Sequence, residues 1–282
     1  MDTVAGRIVL VTGAAMGMGR LYAEHAVSEH AAAVVLWDVD GTALEATRAD
    51  LAARGGSVFA QVVDLASLPA IRAAAARLQS EVGHPDIVVN NAGIVRSKPF
   101  WEHDPEQDID PVIRINLLAP MHVARAFLPA MIAGGREARL LNVASASGLL
   151  SVPRMSVYTS SKWGVIGWSD SLRLELARAG HAHVRVTTLI PSYIRTGMFA
   201  GARPPLMTPL LDPAFVVDKA WAAMKRGKPR LMLPWSVTLS SALRGLLPLP
   251  AWDWLAGRVF QVYSSMDRFT GRGPADREGG QA

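Results

Sequence analysis

The chain contains no cysteine. This absence excludes disulfides, thiolate nucleophiles and cysteine-ligated metals, and it fits a reducing cytoplasm. The seven histidines do not replace cysteine as metal ligands, because they form no HExxH pair and no carboxylate cluster lies near His181 and His183 in the sequence. We therefore expect the protein to hold no metal.

Long apolar runs are also missing. The apolar C-terminal part is interrupted by prolines and charged residues, at Pro234, Arg244, Pro248, Pro250 and Asp253. Residues 1–6 include Asp2 and lead directly into an apolar strand, RIVLVTG, so they do not form a secretory signal. Hydrophobic residues make up 50% of the 282, enough for one large α/β domain or two small ones. These features predict a cytoplasmic protein.

Acidic residues are scarce in one segment. Residues 219–272 hold nine Lys/Arg against two Asp/Glu, so the net charge of +5 arises there. The segment also contains Trp221, Trp235, Trp252 and Trp254. Such a surface can bind nucleic acid or an anionic membrane, and it can also be a solvated rim without a partner. Its apolar content favours reversible contact with an anionic membrane over nucleic-acid binding. We therefore expect peripheral localisation at such a membrane and no nucleic-acid partner.

Glycines follow the first predicted strand, 7–13. Gly13, Gly17 and Gly19 have the spacing TGxxxGxG and precede a helical pattern. Glycine permits a tight turn and lets backbone N–H groups approach a pyrophosphate at the positive N-terminus of a helix. We therefore predict that a dinucleotide contacts this turn, at Gly13, Met16, Gly17, Met18 and Gly19.

Asp38 ends the second predicted strand, about twenty residues after the glycines. A carboxylate at this place can accept hydrogen bonds from both ribose hydroxyls of an adenosine and repels a 2′-phosphate. The next residue is Val39 and not an arginine that could neutralise such a phosphate, so NAD is favoured over NADP. The alternative role of Asp38, capping the following helix, fits less well beside the glycine turn.

Further candidate residues follow later strands. Asp64 and Leu65 end the third strand, Asn91, Ala92 and Gly93 follow the fourth, and Pro191, Ile194 and Thr196 follow the sixth, 183–190. The alternation of strands and helices through residue 190 predicts an α/β fold, a doubly wound parallel sheet with helices on both faces. Ligands bind such sheets at the carboxyl ends of the strands, where these residues lie.

The stretch from Ser145 to Lys162 carries the predicted chemistry. Tyr158 and Lys162 are four residues apart in a helical pattern, so they share one helix face. A nearby ammonium favours the phenolate form and lowers the pKa of Tyr158, which would make this residue an acid and base at neutral pH. Ser145 ends a buried strand, where its hydroxyl can hold a carbonyl or alcohol oxygen.

Asn116 lies within an apolar helix predicted over 105–133, four residues before Pro120. We expect its amide to bond to helix backbone groups that the proline leaves without partners.

Together these residues resemble the short-chain dehydrogenase/reductase family over about residues 5–230, through TGAAMGMG, Asp38, Asp64, NNAG, Asn116, Ser145 and Tyr158-xxx-Lys162. The resemblance implies a Rossmann-type fold with Tyr158 as general acid and base. It also implies that Lys162 lowers the pKa of Tyr158 and holds the nicotinamide ribose. Ser145 would position the reacting oxygen, Asn116 would support a water that relays protons to Lys162, and Thr196 would contact the nicotinamide amide.

The segments PSYIRTGMF, PLLDPAFVVDKA and SSMDRFTGR resemble the retinol dehydrogenase and 17β-hydroxysteroid dehydrogenase branch of that family, whose members oxidise lipophilic alcohols. Two features depart from these patterns: Ser192 stands where the wider family usually has glycine, and the N-terminal hydrophobic anchor usual in the branch is absent. A predicted lid, about 193–216, is apolar, which suits a hydrophobic ligand.

These patterns define the predicted organisation and function. We expect a catalytic domain over 1–230, an apolar basic helical extension over 231–270 and a disordered tail over 271–282. The predicted function is NAD-dependent hydride transfer between a bulky hydrophobic alcohol and its ketone or aldehyde. The alternatives are a 3-oxoacyl or general ketone reductase and a non-catalytic nucleotide sensor. Apolar residues on several faces of helix 156–179 predict a homodimer or homotetramer.

Overall fold

The computed structural model of the protein describes residues 1–271. Within them a seven-stranded parallel sheet has the order β3-β2-β1-β4-β5-β6-β7. The strands are β1 (Ile8–Thr12), β2 (Ala33–Asp38), β3 (Val58–Val62), β4 (Ile87–Asn90), β5 (Ala138–Val143), β6 (Val184–Pro191) and β7 (Arg230–Leu233). The predicted doubly wound sheet is confirmed. Apart from Gly271, the predicted disordered tail lies outside the described residues.

Helices cover both faces of the sheet. They are α1 (Gly17–Ser28), α2 (Gly41–Ala53), α3 (Leu68–Glu81), α4 (Asp110–Ile113), α5 (Ala119–Ala133), α6 (Ser156–Arg178), α7 (Pro213–Lys225), α8 (Trp235–Leu246) and α9 (Leu249–Trp254). One core layer contains residues of α1, α2 and α7. The opposite layer contains residues of α3, α5 and α6.

The apolar strands are explained by burial on both faces. In β1, Val9 and Val11 pack into the first layer while Leu10 packs into the second, and all three are fully buried. Successive side chains of a strand point to opposite faces, so a strand covered on both sides has no polar face. The continuous apolar runs in the sequence follow from this arrangement.

The C-terminal extension differs from its prediction in two ways. Its first residues, 231–233, belong to β7, a strand that the sequence analysis missed. The helical pattern of WSVTLSSALRGLL predicts one apolar stripe on α8, through Trp235, Leu239, Ala242, Leu243 and Leu246, with Ser236, Ser240 and Arg244 off it. Leu243 packs against the cluster around Trp252, whereas Trp235, Leu239 and Leu246 are 64%, 42% and 80% exposed. The buried face of α8 instead carries Ser236 and Val237.

One described helical stretch, Pro105–Ala133, is long and apolar enough to cross a membrane by length and composition, although the sequence analysis did not single it out. Val112, Val123 and Phe127 within this stretch are almost completely buried in the core of the protein. A buried core helix meets the same criterion of length and composition.

The helix that was predicted to form a subunit interface, α6, packs mainly within its own chain. Val165, Ile166, Leu172 and Leu176 are buried in the core. Trp168 packs against the same core, whereas Trp163 is 42% exposed. The several apolar faces of α6 are therefore largely explained by the sheet and the neighbouring helices.

Candidate functional site

The glycine turn after β1 is packed against the turn after β4. Asn91 Nδ2 donates to the carbonyl oxygens of Thr12 and Gly13 at 3.0 and 3.1 Å. A Cβ atom on Gly19 would lie 1.9 Å from the Gly13 carbonyl oxygen, so a larger residue cannot fit there. The turn therefore brings the N-terminus of α1 close to the carboxyl ends of β1 and β4.

Asp38 holds the same turn from the second strand. Its carboxylate accepts from the backbone N–H of Ala15 at 3.0 Å, of Val39 at 2.8 Å and of Asp40 at 3.1 Å. The carboxylate offers about four acceptor positions. Three are already used, so Asp38 has less capacity for two ribose hydroxyls than the sequence analysis assumed, although its charge still opposes a 2′-phosphate.

A cleft of about 1870 Å³, part of it open to solvent, runs along the carboxyl edge of the sheet. The predicted cofactor-binding residues that line it are Gly13, Met16, Gly17, Met18, Asp38, Asp64, Leu65, Asn91, Ala92, Gly93, Tyr158, Lys162, Pro191, Ile194 and Thr196. Gly19 does not line the cleft, because it packs beneath the turn. A glycine turn at a helix N-terminus with a carboxylate at the next strand end fits a dinucleotide.

Tyr158, Lys162 and Ser145 meet in the cleft. Lys162 Nζ donates to the Val143 carbonyl oxygen at 3.0 Å and lies 5.7 Å from the centre of the Tyr158 ring. Tyr158 is 4% exposed and Lys162 3% exposed. The structure thus brings together three of the four predicted catalytic residues.

Burial changes the pKa of both titratable groups. It raises the pKa of Tyr158, an effect that a hydrogen bond with Ser145 partly offsets. It lowers the pKa of Lys162 to about 8. The prediction that Lys162 lowers the pKa of Tyr158 is not met by these groups alone, because removal from water disfavours the charged form of each.

Asn116 lies behind the cleft in a wide helical turn, Arg114–Leu118. Its Oδ1 accepts from the Ile94 N–H at 2.8 Å, and its Nδ2 donates to the Ile94 carbonyl oxygen at 2.9 Å and to Ser161 Oγ at 3.2 Å. The prediction that its amide bonds to the backbone of its own helix is therefore wrong. Asn116 instead fixes the loop after β4, beside Gly93 and Lys162.

An apolar pocket of about 660 Å³, part of it open to solvent, adjoins the cleft. Ser145, Tyr158, Ser192 and Phe199 line both spaces. The two spaces therefore meet at these four side chains. The pocket's other walls come from the stretch 146–155, from the predicted lid and from the C-terminal extension, through Leu150, Leu206, Val237, Phe260 and Val262 among others.

Residues 260–271, here called the strap, lie across the lid. Backbone hydrogen bonds join Arg203 N–H to Ser265 O, Leu206 N–H to Phe260 O and Thr270 N–H to Ala200 O. Tyr193 also donates to Ser265 Oγ at 2.9 Å. The strap thus forms part of the pocket roof, and its fully buried Met266 packs in the same cluster as Tyr158.

Comparison with known proteins identifies this arrangement. The family model described as short chain dehydrogenase matches residues 7–206, more than half of the chain. The chain belongs to the short-chain dehydrogenase family.

Relatives of this short-chain dehydrogenase match the predicted branch. Estradiol 17-beta-dehydrogenase 11 of Pongo abelii is 35% identical over 247 residues, which cover 87% of this chain and 81% of the relative. Epidermal retinol dehydrogenase 2 of Mus musculus is 33% identical over 273 residues, which cover 95% of this chain and 87% of the relative.

Solved structures agree on the fold. A short-chain dehydrogenase/reductase from Burkholderia phymatum in complex with NAD is 26% identical, with a TM-score of 0.79 over 87% of this chain and 95% of that one. Other similar structures hold NADP or NADPH. This short-chain dehydrogenase is thus an oxidoreductase whose fold binds a nicotinamide cofactor.

The sequence analysis missed several residues of the dehydrogenase's pocket. Ser147 Oγ lies 3.0 Å from Ser145 Oγ, but Ser147 belongs to no recognised pattern. The strap residues lie beyond the stretch that the family model matches, and only the run SSMDRFTGR indicated them. Within residues 1–271, no group of three His, Asp or Glu side chains could hold a metal ion.

Proposed function

We propose that the enzyme transfers a hydride between NAD and a bulky hydrophobic alcohol of the retinoid, steroid or long-chain type. The observation that carries this proposal is the mostly apolar pocket that meets the cleft at Tyr158 and Ser145. An apolar pocket with a few convergent polar groups is typical of a site for a hydrophobic ligand with one reacting oxygen.

Each catalytic residue then has a distinct task. Ser145 donates a hydrogen bond to the reacting oxygen, and Tyr158 removes the alcohol proton during oxidation or returns it during reduction. Lys162 anchors to Val143 and faces the Tyr158 ring, where its charge favours the phenolate. Asn116 keeps the loop beside Lys162 in place and supports the water of the proposed proton relay. The bound nicotinamide supplies the hydride acceptor or donor and, when oxidised, a positive charge.

The substrate class is supported by the relatives, whose names refer to estradiol and retinol. Purified enzyme with NAD is offered a retinol, a hydroxysteroid and a long-chain alcohol, and with NADH a 3-oxoacyl thioester. We expect turnover with at least one lipophilic alcohol. Turnover of the thioester alone would establish the alternative reductase, and tight NADH binding without any turnover would establish a nucleotide sensor.

NAD is proposed as the cofactor because Asp38 carries a negative charge beside the cleft and Val39 adds no positive one. Asp38→Asn loses the charge and one of the two acceptor oxygens, so NAD affinity should fall about tenfold and discrimination against NADP should decrease. Adding Val39→Arg should shift the preference further towards NADP, since Val39 lines the cleft and is 68% exposed.

Direct titration of NADH and NADPH measures both effects. Glu45→Gln serves as the control, because it removes an exposed charge from α2 without touching the cleft. A wild-type protein that binds NADPH more tightly than NADH contradicts the proposal.

We further propose that the protein is cytoplasmic and rests reversibly on anionic membrane through the face that carries the pocket entrance. The exposed stripe of α8 continues into Leu249 and Trp254, both 64% exposed, and Leu206 at the pocket is 55% exposed. Arg203 and Arg258, both exposed, add positive charge to this region. A homodimer or homotetramer is also proposed, with exposed Trp163 and Leu174 of α6 available for contact.

A further inference from the structure

Ser147 is a pocket residue to which the proposed function gives no task. It lies in the short turn Ala146–Gly148 that follows β5, and it is 9% exposed. Its backbone N–H and its hydroxyl are both within hydrogen-bond distance of one atom: the backbone nitrogen lies 3.3 Å and the side-chain oxygen 3.0 Å from Ser145 Oγ. Ser145 Oγ is therefore surrounded by two groups of Ser147 and by Tyr158.

The number of hydrogen bonds that a hydroxyl can form limits the directions of these bonds. A serine hydroxyl has one hydrogen to donate and two lone pairs. The Ser147 N–H can only donate, so it occupies one lone pair of Ser145. If the Ser147 hydroxyl donates to the second lone pair, the hydrogen of Ser145 remains for the reacting oxygen or Tyr158. If Ser145 donates to Ser147 instead, no hydrogen remains for them.

Charge decides between these two directions during the reaction. Negative charge develops on the reacting oxygen or resides on Tyr158 as its proton moves. A hydrogen bond to a charged oxygen is about twice as strong as one between neutral groups. The Ser145 hydroxyl therefore donates its hydrogen to the charged oxygen. The Ser147 hydroxyl in turn donates to Ser145, and this second hydrogen bond polarises the first.

We propose that Ser147 is a positioning residue that donates to Ser145 and so holds the Ser145 hydroxyl as a donor towards the reacting oxygen and Tyr158. This inference rests on the proposed function. No proton leaves Ser147, because the single proton transfer remains the one between Tyr158 and the substrate oxygen.

The turn itself does not depend on the Ser147 hydroxyl. Gly148 N–H donates to the Ser145 carbonyl oxygen at 2.9 Å, and Trp163 Nε1 donates to the Ser147 carbonyl oxygen at 2.9 Å. Neither bond involves the Ser147 hydroxyl. The first joins Gly148 to Ser145, and the second uses only the backbone carbonyl of Ser147. Ser147→Ala should therefore keep the fold and remove one hydrogen bond only.

A double-mutant cycle with Ser145 tests the inference with the alcohol of the panel that is oxidised fastest. Ser147→Ala should lower kcat about three- to tenfold, the loss of one polarising hydrogen bond. The same substitution in a Ser145→Ala background should cost nothing further, because Ser147 acts through Ser145. Ser147→Thr keeps the hydroxyl and should restore most of the activity.

A spectroscopic titration gives a second measurement that does not depend on turnover. The chain has four tyrosines, so the difference in ultraviolet absorbance between wild type and Tyr158→Phe, with NAD bound, isolates ionisation of Tyr158. Ser147→Ala should move this ionisation to higher pH, because Ser145 then stabilises the phenolate less. The titratable groups facing Tyr158, Lys162 from α6 and Tyr193 after β6, are the same in both proteins.

Three results overturn the inference: unchanged kcat and titration in Ser147→Ala, an equal loss in the Ser145→Ala background, or a loss of activity accompanied by lost NADH binding. The second would mean that Ser147 acts on the substrate directly, and the third that its role is structural. Failure of the proposed function is distinguishable, because the wild-type protein itself would then oxidise no alcohol of the panel.

Discussion

Tyr158 and Lys162 are neighbours whose charged forms are both disfavoured by burial. The pKa of Tyr158 is raised and that of Lys162 is lowered to about 8. Sequence spacing shows that the two share a helix face, but it does not show how little water reaches them. For this reason the sequence predicted that the two share a helix face, but not that burial raises the pKa of Tyr158.

Tyr158→Phe keeps the ring and removes the proton-transfer group. Turnover should fall by about 10²–10⁴-fold, the usual cost of losing a general acid and base. NADH binding, measured by fluorescence titration, should stay close to wild type because the packing against Phe199 is retained. Near-wild-type turnover would show that another group moves the proton.

Lys162→Met should stabilise the folded protein at neutral pH while abolishing activity. The folded-state pKa of about 8 lies below the ordinary value of 10.5, so below pH 8 the fold holds a charge that burial disfavours. The gain should be roughly 2–3 kcal/mol, less the cost of leaving the Val143 carbonyl oxygen without its donor.

The gain should shrink as the pH rises from about 8 towards 10.5, because the unfolded lysine also becomes neutral there. Urea unfolding at several pH values measures it. Lys228→Met, on an exposed side chain, is the control and should show no such trend. A gain in the free energy of unfolding that does not change with pH would show that the buried charge of Lys162 is not its cause.

At the scale of elements, Arg244 joins α8 to the segment that follows the catalytic turn. Its Nη1 donates to the Leu149 carbonyl oxygen at 2.6 Å, and its guanidinium lies 4.6 Å from the centre of the Trp163 ring. The sequence analysis placed Arg244 off the apolar stripe of α8, on a face that proves to be partly buried. One arginine thus connects α8, α6 and Leu149, the neighbour of the pocket residue Leu150.

Arg244→Met should lower the free energy of unfolding by about 1–3 kcal/mol, through a lost charged hydrogen bond and a lost cation–π contact. It should also raise KM more than it lowers kcat, because the residue supports the pocket and does not touch the reacting atoms. Denaturant unfolding and steady-state kinetics measure the two effects. Arg258→Met, on an exposed arginine of the same extension, should change neither by a comparable amount.

Elements with strong local patterns were predicted from the sequence, and those set by tertiary contacts were not. Strands β1, β2, β4, β5 and β6 were visible because both of their faces are largely buried, whereas the edge strand β3, with Phe59 and Val62 exposed, was visible through its apolar composition alone. Strand β7 has only four residues, none of them fully buried, so its pattern is weak. The orientation of α8 was predicted only in part, because Leu243 packs inwards whereas Trp235, Leu239 and Leu246 face outwards, and a pattern within one helix cannot reveal this difference. Asn116 was found, but its partner Ile94 lies 22 residues away in the sequence.

At the scale of the whole molecule, the proposed membrane contact depends on exposed apolar side chains around the pocket. Leu239→Ser with Leu246→Ser should weaken flotation with phosphatidylglycerol vesicles at low salt, since two apolar anchors are lost. High salt should weaken wild-type flotation as well, because screening reduces the attraction of basic residues for the anionic surface.

The matched control replaces two exposed apolar residues of the sheet edge, Phe59→Ser with Val62→Ser, and should float like wild type. Equal flotation of both double variants, or no flotation of wild type at low salt, would leave the α8 stripe without a membrane role. Light scattering of the same proteins measures whether the 30.2 kDa chain associates in twos or fours.

The strap also sets the order in which the ribosome completes the two binding spaces. Every residue that lines the cleft has been synthesised by Phe199, whereas the pocket still needs Phe260 and Val262. At ordinary rates of translation the intervening residues take roughly 3–12 s to be added. A nascent chain therefore has all the residues of its nucleotide site several seconds before it has those of its substrate site.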